Sequence, residues 1–330
     1  MKTFKTIHLL SAALTALATF ALPLQQAQAA DPFPSHPVRF IVPLGPGSGS
    51  DTITRLVAKL VTPELKGQST FIDNKPGGDA VLAVQALLAS PADGYSVLML
   101  SPSSMVINPL INDSLPYDAQ KDLRPVATML RSAAVLVTGA SSPYKTYAEA
   151  MAAAKKSPKN VSMASYSNHY RIGALMLQQG AGVEFNYIPY KTPGQVQTDL
   201  MGGQVDLALL DVGGALPLIA SGKVRALAVT GKERHPKLAN VPTVRESGQP
   251  NYDLYVWIGL GVAAKTPEPV VKTLETALLK AMAQPEFKTY VTETAGAEVY
   301  TVGSKEMAEM IASETARYRA LSKQVDLAQK

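Results

Sequence analysis

Nearly every residue of this chain that could do chemistry is a hydrogen-bond donor in a short turn. Gly45-Pro46-Gly47-Ser48-Gly49-Ser50-Asp51 ends an apolar run and opens a helical pattern. Such a turn exposes backbone N–H groups at a helix start, where an anion is stabilised. Ser48, Gly49 and Ser50 are its donors. Ser103 and Ser104 form a second group, and Ser165, Ser167, Asn168 and His169 a third. Thr192 and Gly194 form a fourth. Hydroxyls, amides and bare N–H groups suit a carboxylate held by many moderate hydrogen bonds rather than by one fixed salt bridge. Arg171 and Lys191 either add positive charge or are solvated. His169 is a ligand contact or a structural hydrogen-bonder. Asp211 orients a water, accepts from a neighbouring turn, or caps the helix behind it.

Other chemistries fit less well. A dinucleotide fingerprint needs a third glycine where Ser50 stands, although Asp73 imitates the ribose-binding acid. Asp51 would also set a negative charge beside a pyrophosphate. No Gly-Lys-Ser/Thr follows for a phosphate loop, and neither Ser48 nor Ser50 makes a G-x-S-x-G elbow. The histidines His8, His36, His169 and His235 have no zinc spacing, and there is no cysteine. The expectation is therefore no cofactor, no metal and no catalytic residue.

The elements that must position these loops alternate almost from the start. Lys2 and Lys5, the apolar run 9–24 and Ala27-Gln28-Ala29 compose a secretory signal peptide over 1–29, cleaved near Ala29. The charge of +5 becomes +3 without the leader (31 − 2 = 29 basic against 26 acidic). These basic residues are dispersed, which argues against nucleic acid and for small anions. The remainder, about 300 residues, is more than one core usually serves, so two lobes are expected. Strands are predicted at 38–42, 70–73, 96–100, 133–138, 161–164, 185–188, 205–210, 224–230 and 255–263. Helices are predicted at 52–65, 80–89, 147–156, 173–179, 196–201, 216–220, 268–282 and 304–323. This order implies a mostly parallel sheet covered by helices, with ligand loops at strand ends 43–51, 101–105, 165–170, 189–195 and 211–214.

A family resemblance rests on FPSHPVRFIVPLGPGSGSD, DNKPGGDA, SPADGYSVLMLS, INPL with LPYDAQKDLRPVA, IPYKTPGQVQTDLMGGQVDLALLD and GKVRALAVTGKERHPKLANVPTVRESGQPNY. Across nearly all of 33–320 the chain resembles the solute-binding proteins of tripartite tricarboxylate transporters, the Bug (TctC-like) family. The resemblance implies a periplasmic α/β binding protein of type II (Venus flytrap), without enzymatic activity. Its first lobe would comprise 31–130 with 251–330, and its second 131–250. It implies a ligand carboxylate held between loops 43–51, including Leu44, Gly45 and Asp51, and 165–169, partly through ordered waters. Further contacts would come from 189–194, including Tyr190, and from around Asp211. The partner would be a two-subunit membrane permease, and the receptor a monomer. The chain departs from the family's pattern in three places. Gly45-Pro46-Gly47-Ser48 replaces a PPGG turn, and Asp79–Ala83 replaces a Gly-Gly-Asn-Ile-Gly-like stretch. The 165–171 loop is about two residues short. There Tyr166, Tyr170 and Arg171 could frame an aromatic or longer dicarboxylate. An exported enzyme acting on a carboxylate and a ligand sensor for a two-component system are the alternatives.

Overall fold

The computed structural model describes residues 33–322, so the leader and the last residue of the helix expected at 304–323 lie outside it. Strands β1 (Val38–Val42), β2 (Thr70–Asn74) and β3 (Ser96–Leu100) form a parallel block. A second parallel block holds β5 (Ser162–Ser165), β6 (Asn186–Pro189) and β7 (Leu207–Asp211). Between them run β4 (Leu123–Gly139) and β9 (Tyr255–Ala263), antiparallel to each other. The strand order is β2-β1-β3-β9-β4-β7-β5-β6; β8 (Val224–Val229) and β10 (Glu298–Val299) also pair with β4. The expectation of a mostly parallel sheet holds for the two blocks and fails at the centre. There β9 runs against β3 and β4, and β4 runs against β7.

β4 is the strand that joins the lobes. Its first part, to Ala133, pairs with β9, and from Ala134 it pairs with β7 and β8. The sequence predicts only 133–138, because Arg124, Pro125, Arg131 and Ser132 break the apolar pattern before it. Register shifts at Pro125/Ala127 and Thr128/Leu130 absorb these residues. A bulge is where a strand tolerates proline, which has no N–H for the ladder. Across the pair, Gly261 of β9 has no room for a side chain: an added Cβ would lie 2.4 Å from Leu100 Cδ1 and 2.7 Å from the Arg124 carbonyl oxygen.

Helices cover both faces of the sheets. They are α1 (Gly49–Val61), α2 (Val81–Leu88), α3 (Tyr147–Lys156), α4 (Asn168–Ala181), α5 (Pro193–Met201), α6 (Val212–Ala220), α7 (Glu268–Ala283) and α8 (Ser304–Ser322), with shorter turns between them. In β4, Leu136 enters a core with Met163, Leu207, Leu209 and Tyr170, whereas Val135 and Val137 enter the opposite one with Ala164, Val196 and Leu210. This is the period of two that sends alternate side chains to opposite faces. The first lobe's core joins Ile41, Leu98 and Leu100 to Trp257, to Met307, Ile311 and Tyr318 of α8, and to Ile172 of α4. α7 packs on α1, and α8 on β4. From Pro34 onward the described residues form one compact unit.

Candidate functional site

The carboxyl ends of the parallel strands carry the helix starts, and side chains of the turns cap them. Ser48 accepts from the Asp51 N–H at 3.2 Å, Ser167 from the Tyr170 N–H at 3.4 Å, and Thr192 from the Gln195 N–H at 3.4 Å. Each hydroxyl gains a cap this way and still has its own proton to donate. Helices α4, α5 and α6 therefore begin at 168, 193 and 212, five, three and four residues earlier than the sequence predicts. Residues read as loop donors are largely first-turn residues.

The α1 turn is open on one side. A Cβ built on Gly45, Gly47 or Gly49 would meet nothing within 4 Å. Gly47, at φ +80°, needs the freedom of glycine. Asp51 holds this turn from behind rather than facing a ligand, and it is 2% exposed. Its carboxylate accepts from the Gly47 N–H at 2.9 Å, Arg55 Nε at 2.9 Å and Asn74 Nδ2 at 2.8 Å. Burial opposes its charge, but the bonds from Arg55, Asn74 and Gly47 prevail and hold the carboxyl below its usual range. Asn74 also donates to the Leu44 carbonyl at 2.8 Å. The N–H groups of Gly49 and Ser50 belong to the first turn, which has no intrahelical acceptor for them.

The 165–171 segment is tied inward. Ser165 Oγ donates to the Ser167 carbonyl at 2.9 Å and lies 3.1 Å from the Tyr187 hydroxyl. Tyr166 donates to Asp211 Oδ1 at 2.9 Å, and Tyr170 is buried edge-on against it. Arg171 lies over the Tyr187 ring, 5.5 Å from its centroid. His169 is 2% exposed and turned toward Tyr170 and Tyr318. These directions leave Tyr166 and Tyr170 as core and bracing residues rather than an aromatic frame. Asp211 caps α6, accepting from the Gly214 N–H at 2.7 Å as well as from Tyr166. Of the roles read from the sequence, the cap is the one these bonds make. Asp211→Ala is expected to cost about 2–3 kcal/mol, the sum of a lost cap and an orphaned tyrosine hydroxyl. Chemical denaturation checks this, with Asp211→Asn expected to lose less.

Tyr190 donates to Asp199 at 2.7 Å. Together with Lys191, Thr192, Gly194 and Gln195 it lines an open groove of about 730 Å³. A Cβ on Gly194 would meet nothing within 4 Å.

The lobes touch around these helix starts. The Asn168 N–H of α4 donates to Asp79 Oδ2 at 3.0 Å, and Asn168 Nδ2 to Asn108 Oδ1 at 3.2 Å. Ser103, expected as a ligand donor, is buried at the start of the turn after β3. Ser104 is buried and shares a hydrogen bond with Ser101. Gly213 of α6 abuts Ala295, whose carbonyl oxygen would lie 2.3 Å from an added Cβ. His235 Nε2 lies 3.0 Å from the Gly296 carbonyl. Asp79, Asn108 and Asn74 are the positioning residues that the sequence reading omits. Applying the strand-end rule to β2 as well would have included Asp79.

The model of the tripartite tricarboxylate transporter family receptor, TctC, matches residues 53–327. The chain belongs to this family. This TctC receptor is 31% identical over 304 residues to a Pseudomonas sp. (strain P51) protein described as "UPF0065 protein in tcbD-tcbE intergenic region", covering 90% of this chain and 88% of that protein. To BugT of Bordetella pertussis it is 31% identical over 248 residues, 74% and 76% of the two chains. Its fold superposes on R. palustris Rpa4515 with adipate at a TM-score of 0.82 and 28% identity, covering 88% of this chain and 98% of that one. MatC (Rpa3494) from Rhodopseudomonas palustris with bound malate gives 0.80 and 27%, covering 87% and 99%. The TctC receptor thus has the two-lobe α/β fold of periplasmic solute-binding proteins. Among its described residues no helix is long and apolar enough to cross a membrane, and no cluster of three or more acidic, His or Cys residues could hold a metal.

Proposed function

We propose that this TctC receptor captures a small organic carboxylate in the periplasm and delivers it, as a monomer, to a two-subunit permease of the tripartite tricarboxylate type. It has no catalytic role in this reading. The observation that carries it is the open, N–H-lined start of α1, braced by Asp51 and Asn74. A carboxylate oxygen is stabilised there by backbone donors and the helix dipole without a buried counter-ion. Ser48, Ser50 and the Thr192–Gly194 turn are the further donors in this scheme. That structural relatives hold adipate and malate supports the ligand class.

The test is thermal unfolding against a panel of small carboxylic acids. A true ligand stabilises by RT ln(1 + [L]/Kd), about 2.7 kcal/mol at a hundredfold excess over Kd. The ligand is expected to be recovered unchanged at one equivalent. Product accumulating beyond one equivalent would mean that the chain is an enzyme.

A further inference from the structure

Helix α4 belongs to the second lobe, yet its first turns are attached to the first lobe at two levels. Asn168, its first helical residue, donates its N–H to Asp79 Oδ2 at 3.0 Å. The Asn168 side-chain amide donates to Asn108 Oδ1 at 3.2 Å. Both acceptors belong to the first parallel block: Asp79 lies between β2 and α2, and Asn108 comes after β3. Asn108 Nδ2 also donates to the Asp79 carbonyl at 2.8 Å, which ties the two acceptors into one clasp. One turn along the helix, Ile172 enters the first lobe's core with Trp257 and Tyr318.

The two levels differ in their distance from the ribbon that joins the lobes. Trp257 is part of that ribbon, since it pairs with Arg131 of β4, close to the changeover at Ala133. Asp79 instead follows β2, the far edge of the first block, with β1 and β3 between it and β9. Helix α6 packs on the other face of the second lobe's sheet and makes a contact of its own beside the ribbon. There Gly213 abuts Ala295, just ahead of Glu298, which also pairs with Arg131. When one lobe turns against another, contacts near the axis slide a little, whereas contacts away from it must break.

We infer that the Asn168 clasp is a releasable latch between the lobes. While made, it holds the lobe arrangement described above. Once released, it lets the second lobe rotate about β4 and β9, with α4 turning on Ile172 and α6 on the Gly213–Ala295 contact.

Asn168→Pro tests this directly. Proline suits the first helical position, where its missing N–H has no intrahelical acceptor. Ser167 before it is already extended, at φ −151° and ψ +156°, as a residue preceding proline must be. The substitution removes both of the Asn168 hydrogen bonds to the first lobe, whereas Asn168→Ala removes only the one to Asn108. Small-angle X-ray scattering is expected to give a radius of gyration that increases from wild type through Asn168→Ala to Asn168→Pro. Far-UV circular dichroism is expected to stay unchanged across the series. Asp79→Ala takes away the acceptor from the first lobe and should also expand the molecule. Asp79→Asn keeps an oxygen there and should remain near the wild type. If Asn168→Pro does not fold, Asp79→Ala decides the matter. A wild-type radius in either folded variant overturns the latch. So does an expansion that comes with loss of helical signal, which is fraying of α4 rather than rotation of a lobe.

Discussion

Trp257→Ala is expected to bring the protein close to unfolding. Trp257 is 1% exposed in β9 and packs in the first lobe's core with Met307, Ile311 and Tyr318 of α8 and Ile172 of α4. Truncating a buried tryptophan to alanine costs about 3–5 kcal/mol, against a total stability of about 5–15 kcal/mol for a typical domain. A second loss adds to this, because Trp257 Nε1 donates to Glu314 Oε2 at 2.6 Å. Burial already pushes the Glu314 carboxyl up, with the Trp257 bond acting in the other direction. Trp257→Phe keeps most of the packing and gives up the bond, so it should lose about 1–3 kcal/mol. Urea unfolding followed by circular dichroism measures both variants. Equal losses in the two would show that the ring volume is not what matters at this position.

The second large effect is on pH. His169 lies against Tyr170 of its own helix and Tyr318 of α8, with the Arg317 charge nearby. Burial, and then Arg317, push its pKa from 6.5 down to about 3, while the Tyr255 backbone opposes them slightly. The neutral imidazole is thus the form the fold accepts. Its contribution is complete above the unfolded pKa near 6.5 and is lost as pH falls from there toward 3. The slope is about 1.4 kcal/mol per pH unit, so the expected loss at pH 4.5 is about 2–3 kcal/mol. Asp51 acts in the same direction lower down, since its lowered carboxyl contributes above its unfolded pKa and loses that contribution in acid. Glu314, with a raised carboxyl, acts in the opposite direction. Comparing His169→Phe with wild type at pH 7 and pH 4.5 isolates the histidine. The wild type should lose about 2–3 kcal/mol more than the variant between those two values. The same loss in both would assign the acid sensitivity elsewhere.

The sequence reveals most of the scaffold because the apolar runs are clean. The strands at Val38–Val42, Ser96–Leu100 and Tyr255–Ala263 and the helix at Tyr147–Lys156 fall where periodicity places them. It hides the first part of β4, where charged residues and Pro125 interrupt the pattern and only pairing with β9 makes it a strand. Helix starts are hidden for a different reason. Ser, Asn, Thr and Gly read as loop residues, yet as N-caps and first-turn residues they lie at the edge of a helix. That ambiguity affects the site most. The α1 turn was legible as a glycine-rich turn opening a helix, because glycine spacing and a following helical pattern are local signals. The inward directions of Tyr166, Tyr170 and His169 were not, since they depend on partners 45 to 149 positions away, at Asp211 and Tyr318. The contact between Asp79 and Asn168 spans 89 positions and two lobes, and no local pattern announces it.

The unbroken course of β4 has a mechanical consequence. At Ala133 it is paired with Tyr255 of β9, and one residue later Ala134 is paired with Asp211 of β7. No unpaired residue separates the two ladders, so the lobes are joined by a torsion spring rather than a slack tether. Any rotation of one lobe against the other is carried as twist in a hydrogen-bonded ribbon, and the elastic work of that twist returns when the rotation relaxes. Asp211 lies at the end of that spring and caps α6 with the same side chain. A turn of the ribbon is therefore geared directly to the direction in which the α6 helix start points.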